Sequence, residues 1–198
     1  MRNGRGLSLA VAAFACALWG GGAVAAAIDG VTVPETVQAD GKTLRLNGAG
    51  LRTFSIFRVH VYVAALYLEH PASDPNAILN SPETKLVKVN FVHDVSAEQA
   101  RQSWQDGLTN NCRPPSCVLD TNEVATFLAR VPAMRAGERF TLLFDQRGAE
   151  IDLDDHPFGF VPDRGFAEAI LATFLGPEPG SPELKQELLA RSAQQTGQ

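Results

Sequence analysis

The stretch FSIFRVHVYVAALYL, Phe54 to Leu68, is the longest β-like run in the chain. It is rich in Val, Phe and Tyr, contains no Gly or Pro, and reads as one long strand. Side chains on a strand alternate faces. Phe57, Val59, Val61, Val63, Ala65 and Tyr67 make one face uniformly core-like. The opposite face is apolar at both ends, with Arg58, His60 and Tyr62 between, and Arg52 shares its parity if no bulge intervenes. Apolar walls with a few polar groups are what a small-ligand cleft needs. The competing reading leaves Arg58 and His60 in water, where long polar side chains on an open sheet need no function.

Working outward, Val31–Gln38 and Lys42–Leu46 read as short strands joined at Asp40-Gly41, a hairpin signal. Asn47-Gly48-Ala49-Gly50 then reads as a tight turn. Downstream, Ser73-Asp74-Pro75 opens a short helix and Lys85–Val92 is a strand. Ser96 and Gln99 form a capping box. Behind it, Ala97, Ala100, Trp104 and Leu108 recur at helical spacing. Thr121–Arg130 is a helix, and Arg139–Asp145 with Glu150–Leu153 is a second hairpin. Asp163 caps a helix that stops at Gly176-Pro177, and Ser181-Pro182-Glu183 starts a last helix through Ala190, followed by a polar tail at 191–198. Strands, then mostly helices, then a hairpin, then helices indicate an α+β fold, an antiparallel sheet with helices packed on one side.

The first 25 residues have the order of a secretory signal. Arg2 and Arg5 lead, Leu7–Trp19 is apolar and uncharged, and Ala23-Val24-Ala25 supplies small residues for cleavage. Cleavage after Ala25 or Ala27 is expected, giving an exported, periplasmic domain over 28–190. No later stretch is long and apolar enough to span a membrane. Removing Arg2 and Arg5 leaves 15 basic against 22 acidic residues, a net charge near -7, which disfavours nucleic acid and anionic surfaces as partners. Cys112 and Cys117 remain as an even pair in a proline-containing loop. An oxidising compartment makes a disulfide the natural reading.

Other clusters carry less. Asp152, Asp154, Asp155 and His156 match no EF-hand spacing and read as a solvated turn. His93-Asp94 precedes a helix cap, where a carboxylate is ordinary electrostatics. The sequence has no nucleophile elbow, zinc-protease motif, phosphate loop or dinucleotide fingerprint, and no cofactor or metal is expected.

Asn47-Gly48-Ala49-Gly50-Leu51-Arg52 and the Val59–Leu68 run together resemble the signature of chalcone isomerase-like proteins. Phe166–Pro179, followed by Leu184-Lys185, is similar to the end of their bacterial exported branch. The resemblance spans about Gly30 to Leu189. It implies an antiparallel sheet, a layer of helices and a ligand cleft between them. The family holds enzymes that close a chalcone to a flavanone and non-catalytic members, including plant fatty-acid-binding proteins. In both kinds the arginine of a Gly-x-Gly-x-Arg segment reaches the ligand, and Arg52 matches it. Where the enzymes carry a threonine on the next long strand, the fatty-acid binders carry a tyrosine that joins the arginine on a carboxylate. Tyr62 fills that place. The enzymes' tyrosine, lysine and asparagine near the following helix start fall in Ser96–Gln105. Arg101 and Gln105 stand near the last two, and there is no tyrosine. The resemblance therefore implies a binder of a small amphipathic carboxylate, such as a fatty acid, through Arg52 and Tyr62. The alternative is an intramolecular lyase of the chalcone type, using Arg52, Tyr62 and Arg101.

Overall fold

The computed structural model describes residues 26–54 and 57–195; the expected signal at 1–25 lies outside them. Nine strands and five helices follow one another as β1 (Ala26–Ile28), β2 (Val31–Val33), β3 (Thr36–Ala39), β4 (Lys42–Phe54), β5 (Val59–Leu68), α1 (Pro75–Asn80), β6 (Lys85–Phe91), α2 (Ala97–Asn111), α3 (Thr121–Arg130), β7 (Arg139–Asp145), β8 (Gly148–Leu153), β9 (His156–Val161), α4 (Arg164–Leu175) and α5 (Pro182–Gln195). Strands β3 to β9 form one antiparallel sheet in chain order, and β1–β2 is a separate hairpin. This is the α+β architecture expected, with every sheet neighbour also a chain neighbour.

Both faces of β5 are buried from Val63 to Leu68, whereas Phe57 and Val59, expected on a core-like face, are exposed because they lie at the hairpin end. Ala64, Leu66 and Leu68 join α4, Leu184 and Leu188 in one core. Val63, Ala65 and Tyr67 face a second, smaller core with Val33, Leu44 and Leu46. Tyr67 keeps its hydroxyl satisfied by donating to the Pro34 carbonyl at 3.1 Å. Helix α4 buries eight of its twelve residues, so it is an internal element rather than an amphipathic surface helix.

Four sequence expectations are corrected. Val31–Gln38 is not one strand, because β2 pairs with β1 in a separate hairpin while β3 pairs with β4 in the main sheet. Asn47–Gly50 is not a turn, because β4 runs through it without a break. Nor is Phe54–Leu68 a single strand, because the chain reverses near Phe57-Arg58 and β4 pairs antiparallel with β5. Arg58 sits in that reversal at φ +50°, a backbone region that its side chain strains to occupy. Last, α5 extends to Gln195, five residues past the expected end. Two strands were not expected: β1, which adjoins the expected cleavage sites, and β9, which follows Asp154 and Asp155, both at positive φ in a tight turn.

Helix α5 lies along β4. Strand β3 pairs with β4 only from Lys42 to Arg45, and beyond it α5 packs over the face of β4 that carries Gly48 and Gly50. Asn47, fully buried in a bulge, donates to the Leu188 carbonyl at 2.8 Å and accepts from the Ala72 N–H at 2.8 Å. The Leu51 N–H donates to Glu187 Oε2 at 3.0 Å. An open strand edge invites pairing with other chains, and here the Glu187 carboxylate occupies one of its N–H groups.

Cys112 and Cys117 are joined by a disulfide with a Cα–Cα distance of 4.9 Å. The bridge closes the connection between α2 and α3. The enclosed loop is short, so reduction is expected to cost only about 2 kcal/mol. Denaturation with and without reductant checks this: two-state unfolding should persist, and collapse of the whole fold on reduction would contradict it.

Candidate functional site

A cleft of about 1280 Å³ opens between the sheet and helices α2 and α3. Its walls are largely apolar because the facing elements turn apolar stripes toward it. Val59, Val89, Phe91 and Phe158 come from the strands, and Trp104 and Phe127 from the helices. Trp104 is the hub of the aromatic wall, with edge contacts to Phe127 at 5.5 Å and to Phe140 and Phe174 at 6.0 Å. Such ring pairs add to stability beyond the area they bury.

Arg52 and Tyr62 line this cleft as directly opposed residues on β4 and β5. They meet across a hairpin rather than along one strand. Gly48 and Gly50, on the same strand face as Arg52, let α5 approach. A Cβ at Gly48 would collide with the carbonyls of Glu187 and Leu188, and one at Gly50 with the Glu187 side chain. Beyond the helix Arg52 has room, and its Nη1 donates to the carbonyl of Gly180 in the α4–α5 connection. The Tyr62 ring packs edge-on against Phe91 at 5.5 Å. Burial pushes its phenol above the ordinary range, and the Arg52 charge offsets part of that rise.

A bulge separates the Arg52–Tyr62 pair from Thr53–His60, leaving Val61 as the extra residue. One inserted residue inverts the alternation. His60 therefore leaves the cleft and sits with Nδ1 3.1 Å from Asp29 Oδ2. Exposed Arg58 is absent from the cleft wall. Arg101 is also displaced. Ala100, Trp104 and Leu108 turn α2 inward, and a residue one place along a helix lies about 100° around it. Arg101 is thus exposed and outside the lining, and Gln105 donates to Thr109 Oγ1 at 3.1 Å. Gln99, Ser103, Asp106 and Asn110 form the rim instead. Their three- and four-residue spacing was readable in the sequence. His93 and Asp94 are also at the cleft, and Asp94 Oδ1 accepts from the Ala136 N–H at 2.8 Å.

The acidic run is tied locally. Asp154 Oδ1 accepts from the Arg139 N–H at 2.8 Å and Asp155 pairs with the Arg139 side chain. Among the described residues no cluster of three metal-ligating side chains occurs, and no helix is long and apolar enough to cross a membrane.

Tyr62 and Tyr67 are the chain's two tyrosines, and both phenols are held above the ordinary value, Tyr67 at about 12 through burial and the nearby Glu35 charge. No tyrosine should titrate near pH 10 in the folded protein. The unfolded chain loses its phenolic protons first as pH rises, so stability is full below about pH 10 and falls as pH climbs toward 12. Phenolate absorbance of folded and denatured protein checks this; a folded-state transition near pH 10 would contradict it.

The family model for chalcone isomerase-like proteins matches residues 25–190. The chain belongs to the chalcone isomerase-like family. Among solved structures it is similar to a fatty-acid binding protein of Arabidopsis thaliana, AtFAP1. The TM-score is 0.71 at 14% identity, covering 86% of this chain and 98% of that one. At that identity the likeness is one of fold. No curated protein matches the sequence.

Proposed function

We propose that this chain is an exported, periplasmic binding protein for a small amphipathic carboxylate such as a fatty acid, and that it has no catalytic activity. The carrying observation is the Arg52–Tyr62 pair, opposed on neighbouring strands in an otherwise largely apolar cleft. A guanidinium offers a carboxylate two parallel charge-assisted bonds, and a phenol adds a third. The fatty-acid binding named for the Arabidopsis structure supports this reading. The order of charged, apolar and small residues in 1–25 supports export.

The isomerase alternative needs a positioned acid or electrophile besides Arg52. Helix α2 carries no tyrosine and keeps Arg101 away from the cleft. Native mass spectrometry of protein purified from the periplasm tests the proposal. A mature terminus at Ala26 or Ile28 and a co-purifying carboxylic acid are expected. An intact Met1 terminus would remove the export claim. Stereoselective cyclisation of a chalcone far above the uncatalysed rate would replace binding with catalysis.

A further inference from the structure

Helix α2 ends at Asn111, whose side-chain amide is fully engaged. Nδ2 donates to the Gly107 carbonyl at 2.9 Å and to the Glu178 carbonyl at 2.7 Å, and Oδ1 accepts from the Glu178 N–H at 3.1 Å. One amide thus holds both backbone groups of a residue 67 positions away, as a paired strand would. Only a side chain with both donors and an acceptor does this. The approach is close, because a Cβ at Gly176 would collide with Asn111 Oδ1.

The held segment is the α4–α5 connection. It is fastened twice more, by Lys185 Nζ donating to the Gly176 carbonyl at 2.7 Å and by the Gly180 N–H donating to the Thr173 carbonyl at 3.0 Å. Its last carbonyl, that of Gly180, accepts from Arg52 Nη1. A chain of hydrogen bonds therefore runs from the end of α2 through the loop to the guanidinium in the cleft.

We propose that Asn111 is a positioning residue for Arg52, fixing the Gly180 carbonyl that orients the guanidinium toward the cleft. Arginine has many rotamers, and for a ligand that needs one of them Kd rises as the inverse of the fraction of time that rotamer is populated. The effect on binding rests on the carboxylate reading of the cleft; the effect on Arg52 itself does not.

Two measurements on the full mature protein separate these. In the ligand-free protein, the NMR signal of the Arg52 Nε–H should be sharp in wild type, and broad and fast-exchanging in Asn111→Ala. An unchanged signal overturns the positioning role whatever the ligand. In calorimetry with laurate, Asn111→Ala should raise Kd about five- to tenfold, and should have no effect in an Arg52→Ala background. An equal loss in both backgrounds means Asn111 acts on the cleft by another route and overturns the proposal. Equal laurate binding by wild type and Arg52→Ala removes the carboxylate reading, and the NMR result then decides the positioning role alone. Lys185→Met releases the same loop from α5 and is read identically if Asn111→Ala does not fold.

Discussion

Arg52→Ala is expected to weaken binding of a medium- or long-chain fatty acid by about tenfold to a hundredfold. Charge-assisted bonds to a desolvated carboxylate contribute roughly 1.5 to 3 kcal/mol, and each 1.4 kcal/mol is about tenfold in Kd. Arg52→Lys should recover only part of the loss, because an ammonium cannot make the two-pronged contact. Tyr62→Phe should cost less than Arg52→Ala, since the ring keeps its packing on Phe91. Arg52 also donates to the Gly180 carbonyl, so Arg52→Ala should lose some stability as well, about 1 kcal/mol for one such bond. Affinities are therefore compared under conditions where both proteins are folded. Equal fatty-acid affinity of wild type and Arg52→Ala would leave Arg52 as a structural tie between β4 and the α4–α5 loop.

The second large effect is on stability. Gly48→Ala adds one methyl group where the backbone carbonyls of Glu187 and Leu188 already stand. Backbone cannot step aside as a flexible side chain can, so α5 has to lift from β4. That movement strains the Asn47 bond to Leu188 and the Leu51 bond to Glu187. Overpacking of this kind costs about 3 kcal/mol, a fall in Tm of roughly 6 to 12 °C for a domain of this size. Gly159→Ala is the control. It is also a strand glycine, yet an added Cβ meets nothing within 4 Å, and its Tm should stay within about 2 °C of wild type. A Gly48→Ala protein as stable as that control would mean α5 is not seated on the strand.

These glycines also show where sequence reading stopped. Gly48 and Gly50 suggested a turn because glycine permits one. What requires them is a helix some 140 residues further along the chain, and periodicity within a segment carries no trace of so distant a partner. The reversal at Phe57-Arg58 was hidden for the opposite reason: no Gly, Pro or Asn marks it, and Arg58 takes a positive φ itself. Helix starts were legible because capping is local. Asp74, Ser96 and Asp163 each accept a backbone N–H within three residues. Strand parity and the family resemblance both point to Arg52 and Tyr62, which line the cleft on neighbouring strands, whereas the Val61 bulge turns His60 out of it and the phase of α2 turns Arg101 out. The Asn111–Glu178–Gly180 connection had no sequence signal, because it runs through backbone groups that every residue carries.

The seating of α5 also orders events in time. Helix α5 is synthesised after every strand of the sheet it packs on. Until it is made, the Asn47 side chain and the Leu51 N–H lack their α5 partners, and the α4–α5 loop lacks its tie to Lys185. The cleft therefore cannot mature from its amino-terminal end as the chain emerges. A nascent chain halted before Pro182 would hold the sequence of all seven strands of the main sheet and still lack the helix that seats on Gly48 and Gly50 and ties down the loop beside Arg52.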